Sequence, residues 1–179
     1  MLAICSGDQT AYQAVVKRHL KSISHYAYRM LGNQKDTEDI AQETFLRLWL
    51  NAKSWQSEQA KLSTWIHRIA HNLCIDYLRK HSRVETQQEI EETQGNANES
   101  FSTDDNDQKM KLLRQALDSL PENQRSAITL CHYQNFSNKE AAAIMGISVK
   151  ALESTVSRAK QALRQSVNTN TEQVLHTEK

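Results

Sequence analysis

The stretch SNKEAAAIMGISVKALESTVSRAKQAL, residues 137–163, divides at a single glycine. Ser137, followed three residues later by Glu140, has the spacing of a capping box, in which hydroxyl and carboxylate each take a free N–H at a helix start. Ala141, Ile144 and Met145 then give a short apolar face, and Gly146 is placed to end the helix. Ile147 is expected to plug the turn and Ser148 to cap a further helix. On that helix Leu152, Val156, Ala159 and Leu163 share the inward stripe, and Lys150, Ser154, Ser157, Arg158 and Gln161 the outward one. Two capped helices about a glycine turn make a helix-turn-helix, and short hydroxyls, an amide and cations are the groups that reach base edges and phosphates. The alternative is an ordinary solvated αα-hairpin, against which the coincidence of caps, turn and plug weighs.

Upstream of this unit, Met110, Leu113, Ala116, Leu117 and Leu120 form an amphipathic pattern, and Pro121 suits the first position of the next helix. The whole chain of 179 residues has one Pro and four Gly, far fewer turn residues than a β-rich chain of this length would use. The expected class is all-α. Cys5, Cys74 and Cys131 lie far apart without C-x-x-C spacing, so neither a disulfide framework nor a zinc knuckle is indicated, and a reducing cytoplasm fits. No apolar run reaches the roughly 18 residues of a membrane span, and no signal-peptide pattern opens the chain, so no membrane insertion is expected.

A net charge of +1 hides an uneven distribution. Lys and Arg against Asp and Glu count 11 to 7 over residues 1–80, 2 to 8 over 81–110, and 9 to 6 over 111–179. The acidic middle is rich in Glu, Gln, Asn, Ser and Thr and poor in large apolar side chains, the composition of a tether. The chain therefore divides into a first helical domain (1–81), a flexible acidic linker (82–109), a second helical domain (110–167) and a polar tail (168–179). Two basic units on an acidic tether could share one polyanion.

The first block carries three helical patterns. The first runs from about residue 9 to 31 and stops at Gly32-Asn33. In the second, Ala41, Phe45, Leu48, Trp49 and Ala52 form a core face, whereas Asp39, Gln42 and Glu43 mix with Leu46 and Leu50 on the opposite side. Leucines amid carboxylates fit a docking face for a basic protein partner, or a leucine pair covered by another helix of the same domain. In the third, Leu62, Trp65, Ile66, Ile69, Leu73 and Tyr77 form the buried side, Arg68, Asn72 and Arg79 an adjacent stripe, and Lys80 and His81 the close. Arg and Asn along one face suit phosphates and base edges, and Trp55, in a polar loop, offers a flat surface for an unstacked base. His67, His71 and Cys74 share another stripe at spacings of four and three. With no fourth ligand and no H-E-x-x-H glutamate, they are expected to pack against the first helix rather than hold a metal, and no cofactor is expected.

These segments together resemble bacterial RNA polymerase sigma factors of the sigma-70 family, of the small extracytoplasmic-function (ECF) type. DTEDIAQETFLRLW (36–49) is similar to the family's core-polymerase-binding segment, and TWIHRIAHNLCIDYLRK (64–80) to its helix for the −10 promoter element. LPENQRSAITLCHYQNFSNKEAAAIMGISVKALESTVSRAKQAL (120–163) is similar to its −35-binding module. The resemblance covers about nine tenths of the chain, in the family's order. It implies a promoter-specificity subunit without catalysis, with core RNA polymerase, promoter DNA and an anti-sigma factor as partners. By position it assigns Asp39, Gln42, Glu43 and Leu46 to core polymerase, and Trp55, Lys61, Arg68, Asn72, Arg79 and Lys80 to the opened −10 strand. Lys150, Ser154, Ser157, Arg158 and Gln161 fall to the −35 duplex. Glu153 and Thr155 stand where many members carry a basic residue, which implies weak upstream affinity or a distinct sequence preference. His67 stands where an aromatic is frequent and Cys74 where a small residue is, in agreement with packing. The competing reading is an autonomous helix-turn-helix regulator with an N-terminal sensor domain.

Overall fold

The structure is a computed structural model and describes residues 2–55, 60–87 and 114–176. A short helix α1 (Leu2–Cys5) precedes α2 (Gln9–Leu31), whose start is fixed by Asp8, its carboxylate accepting from the N–H groups of Thr10 and Ala11 at 2.8 and 3.0 Å. Gly32, at φ 80°, ends α2 in a conformation that a side chain would strain. Its neighbour Asn33 caps α3 (Gln34–Leu50) by accepting from the Asp36 N–H at 2.8 Å. A 3-10 turn (Ala52–Ser54) and Trp55 follow, then α4 (Leu62–Gln87). The three long helices α2, α3 and α4 pack on one another. Ile23, Tyr26, Ala27 and Met30 of α2 meet Ala41, Phe45 and Leu48 of α3 and Ile66, Ala70, Leu73 and Cys74 of α4.

The second domain opens with α5 (114–118), then α6 (Glu122–Ile128), with Pro121 just outside as its cap rather than its first residue. The chain widens into a π turn (Thr129–Tyr133), reverses at Asn135 with φ 56°, and enters α7 (Asn138–Met145) and α8 (Val149–His176). The expected capping box is present, with both the Ser137 and Glu140 bonds made, and Gly146 takes φ 67°. Ser148 caps α8 by accepting from the Ala151 N–H at 3.2 Å. Ile147 does not plug the turn: it is 36% exposed, because Ala141, Ala142, Ile144 and Leu152 already fill the angle between the helices.

Two boundaries and the burial of four residues differ from the sequence reading. Helix α4 continues past His81 to Gln87, with no glycine or proline to stop it, so the first six positions assigned to the linker are helical. Positions 168–176, read as tail, continue α8. Leu62, Trp65, Ile69 and Tyr77 are half-buried rather than buried. The rest of the acidic linker and the start of the 110–120 pattern lie outside the described residues.

All-α architecture and two helical domains are as expected, and the domains pack on each other. Ala127, Leu130, Ala141, Ile144 and Leu152 of the second belong to the same core as Ile23, Met30 and Ala70 of the first, while Leu117, Leu120, Ile128 and Ala159 make a smaller cluster within the second. A segment as short as α6 to α8 buries little by itself, so apolar area taken from the first domain matters to it. Arg125 crosses the junction to donate to the Met30 carbonyl at 2.8 Å, and Arg114 to the Gly32 carbonyl at 2.9 Å.

Two outcomes are expected. Leu48→Ala, at a fully buried position of α3, should lower unfolding free energy by about 2–5 kcal/mol in urea titration. A specific protease site inserted at Gly95 should yield, after cutting, two fragments that elute together on gel filtration at pH 7.5, since the described contacts between the domains join residues on either side of the cut.

Candidate nucleic-acid interface

The helical period sorts each long helix into a face that packs and a face that does not. On α3, Thr37, Ile40, Ala41, Thr44, Phe45 and Leu48 are buried. Asp39, Gln42 and Leu46 are exposed and Glu43 is half-buried, its Oε1 2.7 Å from Arg47 Nε. Leu46 is 49% and Leu50 69% exposed, and among the described residues no helix covers the pair. The result is an apolar strip about one residue wide with carboxylates along it, a surface suited to a basic partner.

Helix α4 presents two stripes of opposite character. Arg68, Asn72, Arg79 and Lys80 are exposed. Lys61, just before the helix, is also exposed and forms an ion pair with Glu140 of α7, Nζ to Oε1 2.9 Å. Arg79 Nε lies 3.7 Å from Glu122 of α6. Trp55 is half-buried beside the 3-10 turn, and its ring N–H is buried without a hydrogen-bond partner. The other stripe, His67, His71 and Cys74, packs inward as expected, with His67 and His71 against Ser22 and Tyr26 of α2. Burial lowers both imidazoles to about 4 and pushes the Cys74 thiol up to about 12, so all three are neutral near pH 7. Among the described residues no group of three His, Cys, Asp or Glu is placed to hold a metal.

On α8 the division is complete. Leu152 and Ala159 are buried and Val156 and Leu163 half-buried, whereas Lys150, Ser154, Ser157, Arg158 and Gln161 are all exposed. Arg158 donates to Ser154 Oγ at 3.2 Å, which holds its guanidinium along the helix. Glu153 accepts from the Asn138 amide at 3.4 Å. Five donors and acceptors in one stripe on an isolated edge of the domain can enter a major groove without moving the core. Among the described residues no helix is long and apolar enough to cross a membrane.

Sequence reasoning missed the residues that hold one domain against the other: Ser22 and Tyr26 on α2, and Arg125, Ser126, Gln134 and Phe136 in the second domain. For all but Phe136 the signal was a polar residue interrupting an apolar stripe. It also missed the second role of Glu140, whose place in the capping box already accounted for it.

Residues 15–84 match the family model of sigma-70 region 2, and residues 110–163 that of sigma-70 region 4. The ECF RNA polymerase sigma factor SigW of Bacillus subtilis is 34% identical over 168 residues, covering 88% of this chain and 89% of that protein. SigE of Mycolicibacterium smegmatis, also an ECF RNA polymerase sigma factor, is 32% identical over 165 residues, covering 89% of this chain; the match spans 63% of that longer protein. The sigma factor RpoE of Bartonella quintana, solved in complex with the anti-sigma factor NepR, shares the fold with a TM-score of 0.72 at 24% identity over 88% of this chain and 97% of that one. CnrH, solved with the cytosolic domain of CnrY, gives 0.70 at 24% identity over 94% of both chains. With both regions matched in order and the SigW likeness running nearly end to end, the chain belongs to the sigma-70 family of RNA polymerase sigma factors, in its extracytoplasmic-function group.

Proposed function

We infer that this sigma factor binds core RNA polymerase through the outward face of α3, engages the opened −10 strand through α4 and the loop before it, and reads the −35 duplex through α8. The observation that carries the reading is the uncovered pair Leu46 and Leu50 beside Asp39 and Gln42. An autonomous regulator with a sensor domain has no use for an open leucine and carboxylate face on its second helix, whereas a subunit that must dock on a larger enzyme does.

The division of labour follows from the groups available. Lys150 and Arg158 supply phosphate contacts or guanine contacts, and the Ser154 and Ser157 hydroxyls and the Gln161 amide discriminate base edges. Trp55 can stack on an extruded base, a contact worth about 1–3 kcal/mol, while Lys61, Arg68, Asn72, Arg79 and Lys80 line the backbone of the opened strand. The chain supplies recognition and no catalysis, and it works in the cytoplasm, where polymerase and promoter meet. Two relatives of the same fold were solved with another protein bound, one of them an anti-sigma factor, which supports an anti-sigma partner here too.

Run-off transcription with core polymerase tests the reading. Asp39→Lys with Glu43→Lys reverses charge on the docking rim and should lower co-purification with core enzyme, most strongly at raised salt, with helix content unchanged. Undiminished association would place the interface elsewhere. Arg158→Ala should weaken duplex binding and, if the group holds a phosphate, reduce the slope of log affinity against log salt by about 1. Trp55→Ala and Asn72→Ala should spare duplex binding and slow promoter opening, with a pre-melted template restoring most of the lost transcript. Equal activity of Trp55→Ala and wild type on duplex promoter would make Trp55 a packing residue.

A further inference from the structure

The centre of the junction between the two domains is polar and buried. His71, 5% exposed, places Nδ1 2.9 Å from the Tyr26 hydroxyl and 3.1 Å from Ser126 Oγ, and those two oxygens lie 2.9 Å apart. One turn away His67, 1% exposed, donates from Nδ1 to the Ser63 carbonyl at 2.8 Å, which leaves Nε2 to face Ser22 Oγ at 3.1 Å. Ser22 also donates to Gln134 Oε1 at 2.6 Å, and the Gln134 amide returns a bond to the Ser22 carbonyl at 3.1 Å. The edge of Phe136 closes over His67, ring centres 4.7 Å apart. Each histidine therefore sits between the domains, with α2 on one side and the second domain on the other.

The charged and titratable groups around them offer no counter-ion. From α2 come His19, with Arg18 beside it, and Tyr26; from α4 itself, Cys74 and Arg79. The second domain presents Glu122 and Glu140, set against Arg79 and Lys61, and Arg125, directed at the Met30 carbonyl. Among the described residues no carboxylate lies within ion-pair distance of either imidazole.

We propose that this junction is a proton-sensitive latch, closed around neutral His67 and His71 and released when either imidazole takes up a proton. At His71 the neutral form satisfies the geometry: Ser126 can donate to Tyr26 and Tyr26 to Nδ1, each proton used once. At His67 the hydrogen-bond count alone favours a proton, because the Ser22 hydroxyl has one hydrogen for two acceptors. Burial without a counter-ion outweighs that gain, and both histidines stand at about 4 instead of 6.5, burial being the larger cause in each case. The sign follows: the closed form binds protons less tightly than the open one, so closure is strongest above pH 6.5 and weakens as pH falls toward 4. At pH 5.5 the loss is up to about tenfold in the closing equilibrium per histidine, and up to about a hundredfold for both, the limit being reached where opening returns each imidazole to its ordinary value. Lys61 and Ser137 hold Glu140 at about 2, so the Lys61 to Glu140 pair stays ionised through this window and does not account for the change.

The test is energy transfer between dyes at Lys53→Cys and Arg164→Cys, both exposed positions, in the full chain with Cys5 and Cys131 replaced by Ser. Urea midpoints for loss of transfer are compared at pH 7.5 and 5.5, with helix content followed in parallel. Separation of the domains should come before loss of helix, at a distinctly lower urea concentration at pH 5.5. His67→Gln with His71→Gln, which keeps polar groups that do not titrate, should abolish most of the pH shift; if the double variant lacks wild-type helix content, His71→Gln alone should remove about a tenfold share. Equal midpoints at the two pH values, an undiminished shift in the glutamine variants, or simultaneous loss of transfer and helix would each overturn the latch.

Discussion

The Tyr26 hydroxyl is the group on which the arrangement depends. It is taken wholly out of water on α2, and a buried hydroxyl without a partner costs about 1–3 kcal/mol. It finds one partner in each domain, His71 on α4 and Ser126 on α6. The face through which the first domain holds the second is thus polar at its centre and apolar at its edge, where Ile23, Met30, Ala127 and Leu130 pack. With α4 turned so that His67 and His71 face inward, the same helix must turn Arg68 and Asn72 outward, because the helical period separates neighbouring positions by about 100 degrees. Packing of the histidines and exposure of the Arg68 and Asn72 stripe are two results of one constraint.

That closed arrangement leaves the α3 face and the outer stripe of α8 open, but it occupies Lys61 with Glu140. It also sets a limit on reach. A compact body of roughly 150 residues has a radius of gyration near 15 Å and is about 40 Å across. Elements centred near −10 and −35 are about 25 base pairs apart, roughly 85 Å at about 3.4 Å per step. A sigma factor that engages both has to separate its domains.

Much of this was legible in the sequence because it is local. The span of α2, the Ser137 and Glu140 capping box, the Gly146 turn and the outward stripe of α8 rest on residues within a few positions of one another, and the helical period projects them directly. The inward packing of His67 and His71 was legible too, from the lack of further ligands. What was not legible is long-range: Tyr26 meets Ser126 across 100 positions and Ser22 meets Gln134 across 112, and no periodicity links such pairs. Ile147 was misplaced for a related reason, since whether a turn needs a plug depends on how far Ile144 and Leu152 already fill it. The extension of α4 to Gln87 shows that a change in composition does not mark the end of a helix.

The central claim is that the domains are held together through the Tyr26, His67 and His71 junction and must part for initiation. A reducible bis-thiol spacer joining Ser22→Cys and Gln134→Cys, with Cys5 and Cys131 replaced by Ser, would fix the junction shut between two positions whose side-chain ends lie 2.6 Å apart in the closed form. Run-off transcription on a duplex promoter is then measured before and after reduction of the cross-link. The account predicts little transcript from the cross-linked chain and recovery to the level of the never-cross-linked variant on reduction; transcript at that same level from the fully cross-linked chain would contradict it.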